Sequence, residues 1–191
     1  MRLGIAHHLG WAVAVTASDA YEVVDRRRIE LVEAGVPTAP IENESKLLGD
    51  ADATALVAKV RASAVRATSA SLNVLARELP ESVVSMSLRF WPRDFPHDVA
   101  TQRRAPYDSR ADSIMYLQVL AEVADARGWA VHLYDAKSVE SEAARLLGEQ
   151  ASEVLYGPRA KLGPPWAKDQ RTALAAAITA GRSSAVDENA W

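Results

Sequence analysis

Between residues 46 and 79 the apolar side chains return at helical spacing, with Leu56, Val60, Leu72, Leu75 and Leu79 near one stripe, whereas everything before Gly35 reads at strand period. This switch of period confines the chain to folds that build several strands first and then cross over through a long helix. The run from Leu3 to about Val15, interrupted by His7, His8 and Gly10, predicts two short strands joined by a tight turn. "TASDAY" reads as a hairpin loop, "YEVVDRRRIELVE" as a third strand with a wet outer face, and "AGVPTAPIENES" as a loop. After the helix, "PESVVSMSLRFW" predicts a central strand ending near Pro92, and Asp94 to Asp108, with Pro96 and Pro106, a long loop. "SRADSIMYLQVLAEVADARG" is a helix closed by Gly128, and "WAVHLYDAK" a fifth strand. "SVESEAARLLGE" is a helix with Ser138 as its cap; "YGPRAKLGPP" breaks the chain, and "WAKDQRTALAAAITAG" is a last helix. A meander followed by two crossover units predicts an α/β fold with a five-stranded mixed sheet. Three strands are antiparallel and two parallel, with helices on both faces.

At 191 residues there is room for one core. We expect a single domain over residues 1–182 and a flexible C-terminal tail over 183–191. The absence of cysteine removes disulfide and thiolate chemistry and fits a reducing cytoplasm. Arg2 precedes an apolar run, but His7 and His8 break it and no small-residue cleavage pattern follows, so no signal peptide is expected. No segment reaches the ~20 apolar residues of a membrane helix. A net charge of -3 argues against a strongly basic nucleic-acid binder. The clusters Arg26, Arg27, Arg28 and Arg103, Arg104, Arg110 read first as solvated surface.

The opening "LGIAHHLGWAVAV" and the closing "KDQRTALAAAIT" resemble the ribonuclease H-like fold, and within it the RuvC family of Holliday-junction resolvases. Gly10, Trp11, Ala12 and Val13 match the family's Gly-aromatic-small-apolar step, and Asp169 the first of two aspartates in its last helix. The resemblance implies a two-magnesium nuclease site, because paired hard cations need several converging carboxylates to activate water and hold the leaving oxygen. The carboxylate of the first strand falls here on Ala6, that of the fourth strand on Met86 or Ser87, and the second of the last helix on Thr172. No acid precedes Asp19, and none lies between Ser82 and Pro92, so no shift restores them. One carboxylate is too little for two hydrated magnesium ions. No cofactor is therefore expected.

The histidines at 7, 8, 97 and 132 have no zinc-type spacing, and neighbours His7 and His8 point to opposite faces of a strand. Asp135 and Lys137 end the fifth strand, where open α/β sheets gather ligands, although Asp before a helix is also ordinary turn chemistry. Trp91 with Phe90 and Phe95 is the best candidate for an exposed aromatic patch. There is no phosphate-binding loop, nucleophile elbow or dinucleotide fingerprint. The leading expectation is a catalytically degenerate domain that acts by binding a protein or a nucleic acid and no membrane. His7, His132, Lys137, Arg103 and Arg104 are its candidate contacts. The alternative is a hydrolase with a rebuilt one-metal site around Asp169 and Asp135, with His7 or His132.

Overall fold

The computed structural model describes residues 1–183; of the expected tail over 183–191, Ser183 ends the last helix and the rest lies outside the described residues. Strands β1 (Arg2–His7), β2 (Trp11–Ala17) and β3 (Val23–Glu30) form the antiparallel meander. Helix α1 (Asp50–Glu78) leads to β4 (Ser85–Arg89), which pairs parallel to β1. A short helix α2 (Val99–Gln102) and then α3 (Asp108–Asp125) lead to β5 (Ala130–Tyr134), parallel to β4. The remainder is α4 (Val139–Leu147), α5 (Ala151–Tyr156), α6 (Pro158–Leu162) and α7 (Lys168–Ser183). The sheet order is β3-β2-β1-β4-β5. The expected mixed sheet of five strands is present.

The near-continuous apolar character of β1 and β2 follows from burial on both faces. Leu3 and Ile5, with Ala12 and Ala14, pack into a core under α1 and α3. Gly4 and Ala6, with Val13 and Val15, turn the other way, toward α7, whose Ala173 to Ile178 are at most 1% exposed. The turn between β1 and β2 closes through His8 N–H to the Trp11 carbonyl at 2.8 Å. It needs glycine at Gly10, where φ is +81° and a Cβ would come within 2.6 Å of Thr38 Cγ2.

Some expectations need correction. Phe95 is 3% exposed and packs edge-on against Tyr107 at 5.6 Å, so it belongs to the core and not to an aromatic patch; Phe90, at 59%, is exposed. Ser138 precedes α4 but its side chain makes no capping bond. The Ser138 carbonyl accepts from Glu142 N–H at 2.9 Å, and the turn before the helix closes on the Asp135 carbonyl, which accepts from Val139 N–H at 2.9 Å. The expected breaks around residues 40 and 156–162 contain short helical turns.

The turn at Pro40–Glu44 is held by Asp112 of α3, whose Oδ1 and Oδ2 accept from the N–H groups of Ile41 and Glu42 at 2.9 and 2.8 Å. Asp112 is 2% exposed. Burial pushes its carboxyl up to about 6, assisted by Glu44 and Glu42 and opposed by the two N–H bonds. A raised folded value stabilises fully below the unfolded value near 3.8 and is lost as pH rises through about 6. Asp112→Ala should cost about 2–4 kcal/mol, since two buried donors lose their acceptor, and Asp112→Asn less. Relative to Asp112→Asn, wild type should lose about 2–3 kcal/mol between pH 4 and pH 6 in urea melts. Parallel pH profiles of the two proteins would contradict this.

Candidate functional site

The register of the sheet decides what stands around Ala6. Ala6 pairs with Val13 of β2, and Val13 with Arg28 of β3. On the other side Leu3 pairs with Met86 and Gly4 with Ser87, so continuing two residues sets Arg89 beside Ala6. Arg89 in turn pairs with Tyr134 of β5. Because paired residues share a face, Arg28, Val13, Ala6, Arg89 and Tyr134 form one row on the α7 side of the sheet. Met86 is on the opposite face, in the core with α1 and α3, and is removed from the site; Ser87 faces α7 but two residues away, beside Gly4. The fourth-strand position next to Ala6 is therefore an arginine, exposed at the end of β4.

Helix α7 begins over this row. Asp169 Oδ2 lies 2.9 Å from His8 Nε2, and both side chains are about two-fifths exposed, at 39% and 41%. The His8 ring stacks on Trp11 at 4.1 Å with planes 9° apart, and the Arg28 guanidinium sits over the other partner of that stack, 4.2 Å from the Trp11 ring. Further along α7, Thr172 Oγ1 donates to Glu140 Oε1 at 3.1 Å and Arg171 Nε to Glu140 Oε2 at 3.3 Å. Behind Ala6, the Tyr134 hydroxyl donates to the Ile5 carbonyl at 2.7 Å. Burial holds that phenol well above its ordinary range.

No family model and no curated protein matches the sequence. Among solved structures, RuvC of T. thermophilus in complex with a Holliday junction substrate is similar to this chain. The TM-score is 0.52 and the identity 15%, covering 93% of this chain and 90% of that one. A further Thermus thermophilus RuvC structure has a TM-score of 0.48 and 16% identity, covering 93% and 91%. The fold is RuvC-like.

Within this RuvC-like frame the donor set does not fit a pair of magnesium ions. Ala6 and Arg89 offer no oxygen ligand, Asp169 is engaged by His8, and Thr172 by Glu140. Among the described residues no three His, Asp or Glu side chains are grouped to hold a metal ion. Of the residues of the alternative site, His132 and Asp135 line one cleft, and no third acid or histidine joins them in a group that could hold a metal among the described residues. His7 turns to α3, where its Nε2 is 2.8 Å from Ser113 Oγ. Burial, then the charges of Arg89 and His8, push that imidazole down to about 4, so it is neutral at pH 7. His132 is beside Ser87 on the α7 face. Asp135 Oδ1 accepts from Lys137 N–H at 2.9 Å, the ordinary turn role.

Arg103 is tied to Asp50 at 2.9 Å and to the carbonyls of Ser45 and Leu48 at 2.6 and 2.7 Å. It and Arg104 flank the segment before α1, on the sheet face away from α7. Arg26 clamps the carbonyls of Leu162, Gly163, Pro164 and Pro165. Arg89, His8, Glu140 and Tyr134 were outside the candidate set. Arg89 alone had a signal, as the charged residue that ends an otherwise uncharged strand.

Proposed function

We propose that this chain is a degenerate RuvC-like domain that binds nucleic acid through the phosphate backbone and does not cleave it by a two-metal reaction. The observation that carries this reading is Arg89. A fixed positive charge stands beside Ala6, where the nuclease chemistry would require a carboxylate, and the guanidinium has no ion pair or hydrogen bond among the described residues. Arg28 lies on the same row, three strand spacings or roughly 14 Å away. Arg28, which also pairs with Glu30 at 2.8 Å, stacks on Trp11 and Trp11 on His8, so the same face offers guanidiniums for phosphate contacts and an aromatic surface. The RuvC structure of similar fold holds a Holliday junction. A net charge of -3 makes such binding local and strongly dependent on salt.

Fluorescence polarisation with labelled duplex, single strand and four-way junction tests this. Binding on the order of micromolar at low salt is expected, weakening as salt rises, with a loss of tenfold or more in Arg89→Glu. No cleavage is expected with magnesium or manganese. Absence of binding to every probe, or metal-dependent cleavage abolished by Asp169→Asn, would overturn the reading.

A further inference from the structure

A second concave site adjoins the Arg89 row at Tyr134 and lies between β5, α4 and α7. It has a volume of about 480 Å³ and is lined by Ser87, His132, Asp135, Glu142, Arg145 and Thr179 among others. That size is ordinary for a small-molecule site. Ser87 is 1% exposed, and its hydroxyl has no hydrogen-bond partner among the described residues. The buried hydroxyls of Thr16 and Thr68 share that property but are 0% exposed positions in packed core, whereas Ser87 stands at the base of a cleft. Buried polar groups in folded proteins are paired, so the Ser87 hydroxyl marks a place where a polar partner belongs.

The charges around it are specific in kind. Glu142 and Arg145 are three apart on α4, hence neighbours on one helix face, and both line the cleft. Neither side chain has an ion pair or hydrogen bond to another described residue, whereas Glu140 on the same helix has both. His132 pairs with Ser87 across β4 and β5 and shares its face. Burial and the charge of Arg2 lower its pKa, which favours the neutral ring as donor and acceptor.

We propose that this cleft binds a small zwitterion of the amino-acid class. Its carboxylate would lie on Arg145, its ammonium on Glu142, and its polar side chain against Ser87, Thr179 and His132. A guanidinium takes a carboxylate by two parallel hydrogen bonds, which is the strong form of that contact. A plain anion meets repulsion from Glu142 and a plain amine repulsion from Arg145, so the pair selects molecules carrying both charges. None of these residues belongs to the Arg89 row, and the inference stands independently of nucleic-acid binding.

Thermal melts of the full chain with each standard amino acid at millimolar concentration, followed by calorimetry, test it. At least one amino acid should raise the melting temperature by about 3 °C or more. Arg145→Gln and Glu142→Gln should each weaken its binding tenfold or more. Ser87→Ala should melt like wild type without ligand, because its hydroxyl has no protein partner to lose, and bind about fivefold more weakly. Three results would overturn the proposal: no amino acid binds, the three variants bind as wild type does, or the matching carboxylic acid without the amine binds equally well.

Discussion

Gly4→Ala is expected to destabilise the protein by more than about 3 kcal/mol, and to leave little folded chain if the wild type is of ordinary stability. A Cβ at Gly4 would come 1.7 Å from the carbonyl oxygen of Ala173 and 2.6 Å from its carbonyl carbon. Both are backbone atoms, so no rotamer change relieves the contact; α7 as a whole would have to rise off β1. The alanine run of that helix, Ala173 and Ala175 to Ala177, is fully buried because the helix is seated this closely. Lifting it opens a gap along the entire second core. Gly49→Ala is the control, since nothing lies within 4 Å of its Cβ. It should cost less than about 1 kcal/mol, as a change at a helix N-cap. Urea denaturation of both variants decides it, and a Gly4→Ala midpoint close to that of Gly49→Ala would refute the close seating of α7.

Rebuilding the carboxylates should make stability depend on metal. In the combined variant Ala6→Asp, Arg89→Glu and Thr172→Asp, three new acids join Asp169 at neighbouring positions of β1, β4 and the first turns of α7. In chelator these negative charges repel one another, and the variant should melt below wild type. Magnesium or manganese should reverse this by mass action, by about 2.7 kcal/mol at a hundredfold excess over the dissociation constant. For a chain of this size that is roughly 5–10 °C. Wild type, with Arg89 in place, should show no comparable response. The substitution at 89 is essential: an acid at Met86 would be buried in the other core and should destabilise without any rescue by metal. Equal metal responses of the combined variant and wild type would mean that these positions do not converge.

The pattern of strands and helices was legible because it rests on short-range periods. Leu3, Ile5, Val13 and Val15 announce strands by type and alternation, and the stripe from Leu56 to Leu79 announces a helix. The absence of acids before Asp19 and between Ser82 and Pro92 was equally legible, since it holds in any register. Which residue stands beside Ala6 was not. Strand register is a relation between β1 and β4, and a shift of one residue exchanges the two faces, so Met86 was as good a candidate as Ser87 until the pairing was known. Asp112 gave no signal either: its partners Ile41 and Glu42 are about seventy residues away, in a segment that reads as a plain loop.

By itself the sequence determined the order of elements, the five-stranded α/β sheet and the absence of acids before Asp19 and between Ser82 and Pro92, because each of these depends on residue types within a few positions of one another. The tertiary structure alone decided that Arg89 stands beside Ala6, that Asp169 is engaged by His8 and Thr172 by Glu140, and that Ser87 and His132 turn into a cleft with Glu142 and Arg145. Those are contacts across strand pairs and between helices distant in the chain. They are set by the register of the sheet and the close seating of α7 on Gly4, which no local pattern of side chains encodes.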